Sequence, residues 1–83
     1  MNVFDASLQP QDEQRISALS GWYHLLEDRQ QRMDCPNTYH ERLLYQADEM
    51  DRLGLVTWQE WRDLRLEADK AYLWAVHGGD YRN

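Results

Sequence analysis

Leu53-Gly54-Leu55-Val56-Thr57-Trp58-Gln59-Glu60-Trp61 is a junction in which one helix must stop and another must start. Gly54 closes a run of periodic apolar residues, and glycine enters the left-handed C′ conformation without a Cβ clash, so it is the expected terminator. Leu55 then falls at C″, where a Schellman ending lays an apolar side chain back on the last turn, here on Met50. Thr57 to Glu60 reads as a capping box, in which the hydroxyl accepts from the Glu60 amide and the carboxylate reaches back to the Thr57 amide. Val56 before the cap and Trp61 at the fourth helical position supply a hydrophobic staple. Two independent local devices agree on a helix-turn-helix corner, and such agreement between levels specifies a fold.

Downstream of the corner, the spacing predicts a helix from Trp58 to about His77, with Trp61, Leu64, Ala68, Ala71 and Ala75 on its buried stripe and Tyr72 beside it. Gly78-Gly79 should stop it, and Asp80 to Asn83 should fray. Upstream, a helix over about 37–53 carries Tyr39, Leu43, Gln46, Ala47, Met50 and Leu53 on one face, with Asp48 and Arg52 as an i, i+4 ion pair. Its start is open between Pro36 at the first helical position and a second capping box from Thr38 to Glu41. A first helix over about 10–33 begins at Pro10, with Asp12 and Glu13 suiting the positive end of its dipole. Ile16, Leu19, Tyr23, Leu26 and Met33 form its core stripe, widened by Trp22. Residues 1–9 lack a strong period and read as a loosely held arm whose Val3, Phe4 and Leu8 fold back on a groove. The expected architecture is all-α: a three-helix antiparallel bundle over 10–83, one domain with short loops, preceded by the arm.

Bulk properties bound the function. A chain of 83 residues buries only about 60 to 65% of its unfolded surface, so four Trp and five Tyr are an economical source of core area. Fifteen acids against nine Lys plus Arg give a formal net charge of −6, which disfavours nucleic-acid backbones and anionic membranes. The single cysteine, Cys35, excludes an intramolecular disulfide framework and Cys-rich zinc patterns. No apolar run approaches the ~20 residues of a membrane span, and Met1 to Asp5 do not read as a signal peptide; a cytoplasmic location is the expectation.

Catalytic chemistry has no visible foothold. Gly-x-Ser-x-Gly, a phosphate loop, His-Glu-x-x-His and Glu-x-x-His are all missing from the sequence, so no enzymatic activity and no cofactor are expected. His24, His40 and His77 share no i, i+3 or i+4 spacing. The junction resembles a degenerate EF-hand loop, with Glu49, Asp51, Thr57 and Glu60 at liganding positions, Gly54 at the loop glycine and Val56 at the apolar position. The resemblance implies a calcium- or metal-responsive hairpin, but Leu53 stands where an oxygen donor belongs and Glu49 replaces the usual leading Asp.

The surface is more informative. On the third predicted helix Glu60, Asp63 and Glu67 share one sector with Trp74, an acidic stripe with an aromatic end. It suits a protein partner with a basic surface, the acids accelerating encounter and Trp74 anchoring the contact. Leu66, Leu73, Leu25 and Tyr45 fall off the core stripes and mark a homodimer surface. The leading expectation is a small acidic protein-binding module, a regulator or inhibitor of the kind phages and other mobile elements encode, by size and charge alone. A metal-responsive hairpin and a structural subunit of a larger complex are the alternatives.

Overall fold

The computed structural model describes residues 10–81. Four helices account for most of them: α1 (Pro10–Leu26), α2 (Arg29–Asp34), α3 (Pro36–Arg52) and α4 (Trp58–Val76), followed by a 3-10 turn, Gly79–Tyr81. No strand occurs among the described residues, and the fold is the all-α bundle with short loops that the sequence implies. The arm expected over residues 1–9 lies outside the described residues.

The corner between α3 and α4 is built as its residues require. Gly54 takes φ +71°, its amide donates to Asp51 O at 3.0 Å, and the Leu55 amide donates to Met50 O at 2.9 Å, the two bonds of a Schellman ending. The Glu60 amide donates to Thr57 Oγ1 at 3.1 Å while the Thr57 amide donates to Glu60 Oε1 at 2.8 Å. Leu55 and Val56 are buried, with Trp61 packed against the same core. The corner folds α4 back on α3, the most extensive helix pair in the molecule, and Leu64 and Ala68 meet Tyr39, Leu43, Ala47 and Met50 in the core. Gln46 and Leu53, expected on that face, are exposed at its edge.

α1 lies along α3 in the opposite direction: the Tyr39 hydroxyl at the start of α3 donates to Leu26 O at the end of α1, and Arg15 near the start of α1 donates to Leu55 O. Its buried face is the expected one only in part: Leu19 and Leu26 pack against the core, but Ile16 and Tyr23 do not. Trp22 is fully buried, whereas Ile16 and Tyr23 are 56% and 47% exposed and Leu19 sits at the core's margin. Apolar residues cover more than half of this helix's circumference, Ala18 and Leu25 on one flank and Ile16 and Tyr23 on the other, so period alone could not choose. Trp22 decides because it offers the largest apolar area, and its buried N–H finds an acceptor in Leu43 O at 2.9 Å.

Two further expectations are corrected, and the start of the second predicted helix, open in the sequence, is fixed. The first helix does not run unbroken from 10 to 33: it ends at Leu26, and Asp28 caps a new helix by accepting from the Gln31 amide at 3.1 Å. The Leu26 carbonyl is taken instead by Tyr39 Oη and by Arg32 Nη1 at 3.3 Å, so the break strands no acceptor. The second predicted helix starts with Pro36 at its first position, and Thr38 serves Cys35, whose thiol donates to Thr38 Oγ1 at 3.1 Å. Arg52 pairs with Glu49 at 2.7 Å rather than with Asp48, which holds Trp61 Nε1 at 2.8 Å and Arg65 Nη1 at 2.9 Å. Asp48 thereby ties α3 to α4.

The largest departure is at the C-terminal end. Asp80, expected to fray, is the only buried charged residue among the described residues, 6% exposed. Gly78, at φ +77°, turns the chain back, and the 3-10 turn sets the Asp80 carboxylate against Arg32 in a two-pronged pair, Nε to Oδ2 at 2.8 Å and Nη2 to Oδ1 at 2.6 Å. Arg29 Nη2 donates to the Asp80 carbonyl at 2.7 Å. α2 is thus fastened to the end of α4 by charge.

Candidate functional site

α1 and α4 both run antiparallel to α3 and so lie parallel to each other. Arg15 near the start of α1 grips both oxygens of Glu60 in the first turn of α4, Nη1 to Oε1 at 2.9 Å and Nη2 to Oε2, while at the other end of α4 the Arg32–Asp80 pair ties the terminal turn to α2. The guanidinium of Arg15, followed by the Thr57 amide, pulls the Glu60 pKa down to about 2. Glu60 is thus engaged by Arg15, holding α1 to the corner, although its side chain is still 36% exposed.

Asp63 and Glu67 lie on the acidic stripe read from the sequence, with well exposed carboxylates. Among the described residues each meets only a neighbour on its own helix, Asp63 with Arg62 and Glu67 with Lys70, both at 3.4 Å. Single exposed ion pairs hold their partners weakly, so both carboxylates stay available to an incoming charge. Trp74 closes the row. One side of its indole is covered by Gly79, where an added Cβ would lie 2.3 Å from ring carbons, and its N–H points at Asp80 Oδ1 at 3.4 Å. The ring as a whole is half exposed. The tail so holds the indole in one orientation. Arg32, with a smaller contribution from Trp74, keeps the Asp80 carboxyl below its ordinary pKa, and Asp80 in turn holds Arg32 above its own.

A second exposed flank, on α1, was not identified from the sequence as a surface. Helical spacing carries Ile16, Leu19 and Tyr23 along one flank of α1, and Asp63, Glu67 and Trp74 along one flank of α4. Ile16, Leu19, Ser20, Tyr23, His24 and Glu27 line a shallow depression on the α1 flank. The Tyr23 ring stands edge-on to buried Trp22, with centroids 5.1 Å apart, which gives an exposed aromatic a rigid backing. The signal was present in the sequence as an apolar stripe, but a stripe of that kind reads first as core.

The remaining predicted residues do not assemble with this face. Leu66, Leu73 and Tyr45 are exposed, but Leu25 packs against the core and drops out of the self-association set. Of the EF-hand-like positions, Glu49 is held by Arg52 and Glu60 by Arg15 and Thr57, and among the described residues no group of three or more metal-binding side chains occurs. Asp51 is exposed, and Thr57 is spent as a cap. His40 Nε2 lies 2.7 Å from Asp69 Oδ1 and its ring stacks at 4.6 Å on Tyr72, whose hydroxyl donates to Asn37 Oδ1 at 2.8 Å. This row stitches α3 to α4 on the side away from α1. Among the described residues no helix is long and apolar enough to cross a membrane. No protein-family model, curated protein or solved structure matches the chain.

Proposed function

We propose that this chain is a non-enzymatic binding protein, a regulator or inhibitor, that docks a protein with a basic surface on its α1/α4 face. The observation that supports the reading is the exposure of Ile16 and Tyr23 on α1 and of Trp74 on α4, the last in one sector with the carboxylates of Asp63 and Glu67. Exposed single apolar residues need no explanation, but rigidly backed aromatics aligned with a charged row have the composition of an interface core and its rim. The −6 net charge adds long-range attraction for a cationic partner and falls away with salt. Affinity capture from the native host with wild-type chain, Tyr23→Glu and Glu67→Lys tests it. One protein retained by the wild type and lost with both variants, whose circular dichroism is unchanged, is the expected result. Retention of the same proteins by well-folded variants would remove this face from the function.

Self-association is a second reading, favoured by the exposure of Leu66 and Leu73 one heptad apart on the side of α4 turned away from the core. Sedimentation at rising concentration decides it. A mass that stays at that of one chain excludes the dimer.

A further inference from the structure

Resting on the self-association reading above, we infer that two copies of this chain pair through the outer face of α4, with the two helices parallel about a two-fold axis, Leu66 on Leu66 and Leu73 on Leu73. The apolar seam comes first. Leu66 and Leu73 are 50% and 53% exposed, and at about 100° per residue they fall within about 20° of one another, on the side of α4 opposite the buried Leu64 and Ala68. A spacing of one heptad is what returns a side chain to the same neighbouring helix. A seam along α4, 19 residues or about 28 Å, is smaller than the standard interface of about 800 Å² per partner, so association in the range of roughly tens of micromolar is expected.

Charge then fixes who the occupant is and how it lies. Arg62 and Asp69 fall on one side of the leucine line, and Asp63 and Lys70 on the other. A two-fold axis along parallel helices sets the first side of one copy beside the second side of the other at the same height. Arg62 then meets the partner's Asp63 and Lys70 meets the partner's Asp69, each contact made twice. An antiparallel pair that laid Leu66 on the partner's Leu73 would turn like sides together, Asp69 on Asp69 and Lys70 on Lys70. The face is therefore complementary to itself in the parallel arrangement. Within the chain Arg62 meets Asp63, Lys70 meets Glu67 and Asp69 meets His40, all with half or more of the four side chains exposed. Exchanging such contacts across the seam adds little strength, so the charges select the orientation and the leucines supply the attraction. Two cations and two anions cancel within the face, so the −6 charge of each chain is carried outside it. Glu67 and Trp74 lie about 90–110° round the helix from the seam and stay clear of it.

Sedimentation of the full chain up to about 1 mM, joined to disulfide trapping, tests the inference. Cys35→Ser removes the sole cysteine, and in that background Leu66→Cys and Leu73→Cys should each oxidise to a linked dimer on its own. An equimolar mixture of the two should give few links between 66 and 73, which stand about 10 Å apart along parallel helices. Ser20→Cys, exposed on α1, should not link. Leu66→Lys should weaken dimerisation about tenfold or more, and Lys70→Glu about threefold or more, both with unchanged circular dichroism because the two sites are exposed. A mass of one chain at every concentration overturns the inference together with the self-association reading. A dimer that links 66 to 73 in the mixture but neither position to itself, or one indifferent to Leu66→Lys, leaves self-association standing and overturns the parallel pairing of α4. A monomer whose capture of a host protein is lost with Leu66→Lys gives the seam to a different partner and equally overturns it.

Discussion

Replacing Asp80 with Asn probes the contact on which the C-terminal end of the molecule depends. The substitution keeps the shape and one acceptor oxygen but removes the charge that faces Arg32 in the two-pronged pair. Breaking a fully buried ion pair from one side costs about 3–5 kcal/mol, because the surviving charge is left without compensation. Here the Arg32 side chain is 17% exposed and so keeps partial access to water, and the Asn carbonyl still accepts one of its hydrogen bonds, which brings the expected loss to about 2 kcal/mol. In a domain of this size each kcal/mol is worth about 4–8 °C, so thermal unfolding followed at 222 nm should move down by about 8–16 °C at pH 7. The pH dependence has a definite sign. Asp80 titrates below its ordinary 3.8 in the folded chain, so its stabilisation is present above about pH 4 and is lost as pH falls through the lower folded value. The gap between wild type and Asp80→Asn should therefore close in acid. Arg32→Met combined with Asp80→Asn should recover about 1 kcal/mol or more relative to the sum of the single losses, the coupling expected of groups in contact. A melting temperature for Asp80→Asn within about 2 °C of wild type would refute the reasoning, since a fraying tail contributes nothing to lose.

Gly54→Ala isolates backbone strain, because an added Cβ there meets no atom within 4 Å while φ stays at +71°. A loss of about 1–2 kcal/mol in urea with an unchanged m-value is expected, and an unchanged midpoint would show that the Schellman ending is not what stops α3. Gly79→Ala differs in kind, since its Cβ would fall 2.3 Å from the Trp74 ring. It should displace the indole and shift tryptophan emission, and an unaltered spectrum would contradict the packing of the turn on Trp74. Glu60, held at about 2 by Arg15 and the Thr57 amide, contributes stability that is complete above its ordinary 4.5 and lost as pH falls toward 2. Melting of Glu60→Gln across that window should be flatter than wild type, and parallel curves would sink the assignment.

The face proposed for binding was half visible in the sequence. Asp63, Glu67 and Trp74 are separated by helical intervals on one helix, so a wheel places them together with no knowledge of neighbours. Ile16 and Tyr23 could not be assigned that way. α1 is apolar round more than half its girth, and a helix of that kind offers several equivalent core faces until something packs on it. Glu60 lies on the stripe by angle, yet its carboxylate is engaged by Arg15, distant in sequence.

What the sequence by itself determined is whatever closes within a few residues. Gly54 with Asp51, Leu55 with Met50, Thr57 with Glu60, and Pro36 at the start of α3 settle their backbone groups within short sequence separations, so their chemistry can be read directly. The tertiary structure alone decided which face of α1 is inside, where the first helix breaks, and that Asp80 is buried. Each of those depends on groups far apart in sequence, Trp22 with Leu43, Leu26 with Tyr39, and Asp80 with Arg32. A buried N–H, carbonyl or carboxylate must find its partner wherever packing brings one, and periodicity along a single helix carries no information about which helix that will be.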